Sequence, residues 1–225
     1  GDHRRTVGVA WFDMDNDGDL DAFVANQNGD EDGFFRNNGD GTFTDVAREL
    51  GMHQPGRAQE LGSVGTAVGD YDNDGDLDLF VASYGPDVLW ENKGDGTFVN
   101  VAPGTPLAGD HHSVAADWGD INNDGWLDLY VDTFLSSEAE ARDYLFIGGP
   151  KGFTEALPAE MLEHGASHGV RFADYDNDGD LDVALANNHA EGKHPLYRND
   201  LDPELATRSL VVAVTDQAGN WARAG

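Results

Sequence analysis

The sequence predicts an all-β fold, a β-propeller or partial propeller of four-stranded antiparallel blades. Two observations carry this. An acidic nonapeptide, Asp13 to Asp21, returns as Asp70 to Asp78, Asp120 to Asp128 and Asp174 to Asp182, at spacings of 57, 50 and 54 residues. A near-constant period of that size marks an array of supersecondary units. Each copy is also followed by a run such as Leu77-Asp78-Leu79-Phe80-Val81, apolar on both sides as a strand sandwiched between neighbouring sheets should be.

The first repeat sets the plan. Val7 to Phe12 reads as a strand entering the acidic loop, and Leu20 to Asn26 as the strand leaving it. Gly33 to Asn37 makes a third strand, Gly39-Asp40-Gly41 a hairpin turn, and Thr42 to Val46 a fourth strand. Val46 to Gly51 reads as one helical turn closed by glycine. The second repeat follows the same plan, and Pro103-Gly104-Thr105-Pro106 separates it from the third. The third carries an insertion, Ser136 to Arg142, and predicts a short helix from about Glu155 to Glu163. The fourth lacks the Gly-Asp-Gly hairpin. Four blades are expected over residues 1–200, bounded at about 1–50, 51–102, 103–160 and 161–200. A further β segment is expected over 201–225.

The loop has the chemistry of a Ca²⁺ site. Ca²⁺ takes six to eight hard oxygen ligands, and alternate positions of a tight turn with Gly at position 6 supply them. Position 6 is Gly18, Gly75, Gly125 and Gly179. Position 1 is Asp13, Asp70, Asp120 and Asp174; position 5 is Asp17, Asp74, Asp124 and Asp178; position 9 is Asp21, Asp78, Asp128 and Asp182. Position 3 is Asp15, Asp72, Asn122 and Asp176, the amide keeping a carbonyl oxygen. Position 7 is Asp19, Asp76, Trp126 and Asp180, and because Trp126 has no side-chain oxygen this position is expected to ligate through its backbone carbonyl. An EF-hand would need a bidentate Glu at position 12, where Val24, Val81, Val131 and Leu185 stand. Turn formation alone accounts for one Asp and one Gly, not for further carboxylates held in phase, whose mutual repulsion calls for a cation.

These loops resemble the FG-GAP, or VCBS-type, repeat of integrin α-subunit propellers and of many secreted microbial proteins. The resemblance implies one Ca²⁺ between the first two strands of each blade, about four in all. Asn37 to Val46 and Arg208 to Val212 are similar to the cartilage acidic protein branch, in which the repeats lead into a UnbV/ASPIC domain. The family resemblance also implies about seven blades, so four read as an open arc completed by further chain or by another copy.

The chain has 225 residues and a net charge of −30. Eighteen of its 43 acidic residues lie in the four loops, and four Ca²⁺ ions would bring the charge to −22. A surface that remains so acidic disfavours nucleic acid and anionic membrane as partners. There is no cysteine, so neither disulfides nor thiol chemistry enter. Loops of this kind suit millimolar extracellular Ca²⁺, which points to a secreted, periplasmic or cell-surface location. Gly1 to Thr6 lacks the apolar core of a signal peptide, which suits a mature or trimmed form. No apolar run is long enough to span a membrane.

Catalytic patterns are weak. His111-His112, His164 with His168, and His189 with His194 read as loop or rim histidines, since Gly165 stands where a zincin helix needs Glu. No nucleophile elbow, phosphate loop or dinucleotide glycine pattern occurs. Asp117 and Arg171, each three residues before its loop, predict an inter-blade ion pair facing the channel, the alternative being a polar contact for a ligand at the propeller face. The expected function is therefore extracellular recognition or adhesion, with a protein or glycan partner and Ca²⁺ in a structural role. The alternatives are a subunit of a calcium-dependent homopolymer or filament, and an accessory domain of a secreted carbohydrate-active enzyme.

Overall fold

The computed structural model describes residues 3–134, 142–161, 167–187 and 194–209. The expected insertion at 136–142 (except Arg142), the end of the expected helix at 162–163, His164, His189 and the β segment from 210 onward lie outside the described residues.

Four antiparallel sheets follow one another along the chain, each pairing its strands in sequence order. The first contains β1 (Thr6–Phe12), β2 (Asp21–Asn26), β3 (Gly33–Asn37) and β4 (Phe43–Asp45). The second contains β5 (Gly62–Gly69), β6 (Asp78–Tyr84), β7 (Val88–Asn92) and β8 (Phe98–Asn100). The third contains β9 (Ser113–Gly119), β10 (Asp128–Thr133), β11 (Tyr144–Ile147) and β12 (Thr154–Glu155); the fourth contains β13 (Ser167–Ala173), β14 (Asp182–Asn187) and β15 (Leu196–Tyr197). The sheets are propeller blades. Their first strands lie side by side in series, β1 against β5, β5 against β9, and β9 against β13.

Glycine permits that close approach. A Cβ on Gly8 would stand 2.3 Å from the carbonyl oxygen of Val64, and one on Gly65 would stand 2.4 Å from that of Val114. On the axial side the first strands line an open cavity of ≈ 410 Å³, with Val9, Thr66, His168 and Arg171 on its walls and Tyr84 reaching it from the end of β6.

The cores lie between blades. Phe12, Phe23 and Phe34 of the first sheet meet Leu79, Val81 and Trp90 of the second. Phe80, Ala82 and Leu89 on the opposite face of the second sheet meet Leu129, Val131 and Phe146 of the third. The second strand therefore buries side chains on both faces, which explains its unbroken apolar run: β6 is buried from Asp78 to Ser83.

Two segments depart from the sequence reading. Thr154–Glu155 is a strand paired with Phe146 and Ile147, and the expected helix reduces to one 3₁₀ turn at Ala159–Met161. Pro158 disfavours helical backbone at Leu157 before it. After β15 the chain forms a short helix, α1 (Pro203–Ala206), capped by the Asp202 side chain, which accepts from the Glu204 N–H. Val46 to Gly51 makes the expected single turn, with the Leu50 N–H donating to the Val46 carbonyl and Gly51 at φ +73°. Among the described residues no helix is long and apolar enough to cross a membrane.

Candidate metal loops and the inter-blade latches

The four acidic loops join the end of each first strand to the start of the second, so all four lie on one rim of the propeller. Their backbone cages match. The position 1 carboxylate accepts the N–H groups of positions 5 and 6: Asp13 from Asp17 and Gly18, Asp70 from Asp74 and Gly75, Asp120 from Asp124 and Gly125, Asp174 from Asp178 and Gly179, at 2.8–3.2 Å. Position 6 has φ between +91° and +99°, where a Cβ would be strained.

Three loops bring carboxylate oxygens within 4.8 Å of one another and could hold a metal ion: Asp13, Asp15 and Asp17; Asp70, Asp72 and Asp78; Asp174, Asp176 and Asp182. In the third loop Asp120 and Asp124 keep the same cage, but the Asn122 amide donates to Asp124 at 3.0 Å. That hydrogen bond takes up part of the negative charge a cation would otherwise meet.

Position 9 has a second role. Asp21, Asp78, Asp128 and Asp182 are buried. Each accepts the position 2 N–H (Met14, Tyr71, Ile121, Tyr175) on one oxygen and an N–H just beyond or at the end of the third strand (Asn37, Asn92, Gly148, Asn199) on the other. Burial pushes Asp78 up to about 7 and Asp128 up to about 6, with loop carboxylates adding to the rise. A cation would oppose both effects.

The position 7 side chains work outside the loop that carries them. Asp76 accepts from the Asn16 amide at 2.6 Å, and buried Asp180 accepts from the Leu201 N–H at 2.9 Å. Asp19 and Trp126 are partly exposed. This is compatible with ligation at position 7 through the backbone.

Sequence reasoning passed over position 4. Asn16, Asn73, Asn123 and Asn177 all take left-handed φ, from +52° to +62°, a conformation asparagine tolerates. Three of them reach the next blade: Asn16 to Asp76, Asn73 to the Gly125 carbonyl at 3.0 Å, Asn123 to the Gly179 carbonyl at 2.9 Å. The loops are thus hydrogen-bonded in series. The identity of position 4 in all four copies was the available signal.

A second device, also missed, occupies the opposite rim. Asp32, Asp87 and Asp143 each precede a third strand and are buried. One oxygen accepts the N–H at or next to the end of the second strand, from Asn26, Ser83 or Thr133. The other accepts the hydroxyl of Ser63, Ser113 or Ser167 at the start of the next blade, in every case at 2.7 Å. Each seam between blades is latched in this way. Arg57 adds an ion pair to Asp32 at 3.0 Å, and Tyr130 donates to Asp143 at 3.1 Å. In the fourth blade His194 takes the carboxylate's place, its Nδ1 accepting the Asn187 N–H at 3.2 Å.

His111 lies 3.2 Å from Asp87, so Asp, His and Ser113 meet here. Both His111 and Ser113 engage the same oxygen, Asp87 Oδ2. A nucleophilic triad needs the imidazole between serine and carboxylate, and two other seams have the Asp–Ser pair with different partners. This cluster is a latch. His112 stacks on Tyr84 with centroids 4.2 Å apart, and His168 packs against Phe134 at 4.7 Å. The expected pair forms, with Arg171 3.6 Å from Asp117, and Arg171 borders the axial cavity.

Comparison with known proteins agrees with this geometry. The profile of the FG-GAP-like repeat matches residues 13–81 and 70–131, which together span more than half of the chain. No curated protein sequence matches. Two of the solved structures similar to this chain are informative about its extent. One describes specific recognition of non-reducing terminal N-acetylglucosamine by an Agrocybe aegerita lectin, with TM-score 0.46 and 19% identity, covering 83% of this chain and 50% of that one. The other is the V. cholerae biofilm matrix protein Bap1, with TM-score 0.40 and 15% identity, covering 85% of this chain and 30% of that one. The present chain therefore spans half the length of the first and less than a third of the second. With four loops of one construction on one rim, and a profile match that contains three of them within more than half of the chain, the chain belongs to the FG-GAP-like repeat family.

Proposed function

We propose that this protein is a calcium-loaded propeller module for extracellular recognition or adhesion, with a protein or glycan partner. One Ca²⁺ sits in each loop, four in all, with positions 1, 3, 5 and 9 offering side-chain oxygens and position 7 a backbone carbonyl. The ions are structural. They neutralise the carboxylates and hold the rim rigid, and binding energy comes from surfaces the rim keeps in place. The observation that carries this reading is the series of loop-to-loop bonds from Asn16, Asn73 and Asn123, because an ion ordering one loop then orders its neighbour. Recognition is favoured over catalysis because the latch aspartates Asp32, Asp87 and Asp143 and the position 9 aspartates are engaged by donors of the protein itself. The test is capture on immobilised extracellular polysaccharides and matrix proteins, with Ca²⁺ and with EGTA. Saturable capture that EGTA abolishes is expected; capture indifferent to EGTA would contradict it.

A second reading, a calcium-dependent homopolymer, is favoured by one observation. On the outer face of the first sheet Val9 and Trp11 are 48% and 57% exposed, whereas Val68, Leu79, Val81 and Trp90 on the matching face of the second sheet pack against the first. Light scattering that reports a particle growing with Ca²⁺ would favour assembly, and a monomer of 24.2 kDa would exclude it.

A further inference from the structure

The seam between the third and fourth sheets carries acid where the first two seams carry alanine. Ala10 and Ala67 match Asp117, and Ala25 and Ala82 match Asp132; all four alanines are buried in the cores between sheets. With the latch residue Asp143, three carboxylates therefore meet the fourth sheet. Two of them are provided for. Asp143 accepts from the Thr133 N–H at 3.0 Å, the Ser167 hydroxyl at 2.7 Å and the Tyr130 hydroxyl at 3.1 Å. Asp117 accepts the Phe172 N–H at 3.0 Å and lies 3.6 Å from Arg171.

Asp132 is not. It is fully buried, and neither of its oxygens has a hydrogen-bond partner. The Gly169 N–H faces it from β13 without completing a bond. Arg171, also on β13, is the cation nearby, but that side chain is already paired with Asp117 and is 75% exposed. Tyr130, on the same strand as Asp132, is raised by burial and then by the Asp143 and Asp132 charges, so it keeps its proton. His168 of β13 is exposed and packs against Phe134.

A carboxylate closed off from water and without donors is costly as an anion, and a second carboxylate at the same seam raises the cost. Protonation removes the charge and adds an O–H donor. The fourth sheet depends on this seam. Among the described residues it has a packed neighbour on one side only, with Ala184, Ala186 and Leu196 exposed on the other.

We propose that the third seam is a proton-closed joint. With Asp132 protonated the fourth sheet docks on the third; when Asp132 ionises the fourth sheet releases, while the first three sheets stay packed. Burial and the Asp143 charge push the Asp132 carboxyl up to about 8, so the docked state loses stability as pH rises towards that value and levels off above it. Asp143, pushed up to about 6 by burial, adds to the loss only at lower pH.

The experiment is amide hydrogen exchange on the full chain in saturating Ca²⁺, at about pH 6.5 and about pH 8.5, corrected for the intrinsic pH dependence of exchange. Exchange in β13 and β14 is expected to rise about twentyfold between the two, with β2 and β6 unchanged. Asp132→Ala, which repeats the first two seams, and the near-isosteric Asp132→Asn should both abolish the rise. Should the alanine variant fold poorly, the asparagine variant carries the test. A flat response in the wild-type chain, an equal rise in β2 and β6, or a rise that survives in Asp132→Asn would overturn the proposal.

Discussion

The two rims of the propeller use the same residue in opposite ways. On the loop rim, aspartates converge in threes, such as Asp13, Asp15 and Asp17, with oxygens close enough to share a cation. On the latch rim, Asp32, Asp87 and Asp143 stand one to a seam, buried, and spend both oxygens on donors from the protein itself. A carboxylate surrounded by donors is satisfied without a metal; carboxylates surrounded by carboxylates are not. Under the proposed function the first rim is therefore conditional on calcium, whereas the second holds its seams with the protein's own donors.

That contrast is broken most strongly by removing calcium. With a dissociation constant of about 10⁻⁴ M per loop, millimolar Ca²⁺ contributes about 1.4 kcal/mol per site and about 5–6 kcal/mol over four. EGTA should lower the melting temperature by about 10–20 °C, read by circular dichroism. A smaller loss is expected on the latch rim. Asp32→Ala strands the Arg57 guanidinium and the Ser63 hydroxyl, and should reduce unfolding free energy by about 3–5 kcal/mol. Denaturant titration should give that loss in EGTA as well as in Ca²⁺, because no ion is involved.

The third seam sharpens the comparison through pH. Asp132 is buried beside the Asp143 latch, where matching positions carry Ala25 and Ala82. Burial first, then the Asp143 charge, pushes its carboxyl up to about 8 from an ordinary 3.8, with Arg171 acting the other way. Between those values the folded chain keeps a proton that the unfolded chain has lost, so stability falls as pH rises from about 4 to about 8. Asp132→Asn should flatten that fall and raise stability at pH 8 by about 1–3 kcal/mol, measured by urea unfolding across the range. The smallest effect belongs to the loop series. Asn73→Ala deletes one exposed bond to Gly125 and should cost about 0.5–1 kcal/mol, along with some weakening of the third loop's affinity.

The blades and loops were legible because their determinants are local and repeated in phase: positions 1, 5, 6 and 9 keep their residue types in all four copies. Position 4 was equally constant, yet its left-handed backbone and its reach to the next loop exist only once blades stand side by side. The latches were hidden for another reason. Asp32, Asp87 and Asp143 follow their loop starts by 19, 17 and 23 residues, since the turn between second and third strands varies in length while the spatial position does not. The Asp117–Arg171 pair was readable because both lie in first strands, at a fixed count from the loop. The helix expected near residue 155 reflected composition, and was overridden by Pro158 and by strand pairing to β11.

The account stands on the four loops, and the most direct measurement is calcium stoichiometry: elemental analysis after equilibrium dialysis, with calorimetric titration of the stripped protein. Four ions per chain are predicted, with Asn122→Asp tightening the weakest site. Fewer than three ions, or a stripped protein that takes up none at millimolar calcium, would contradict it.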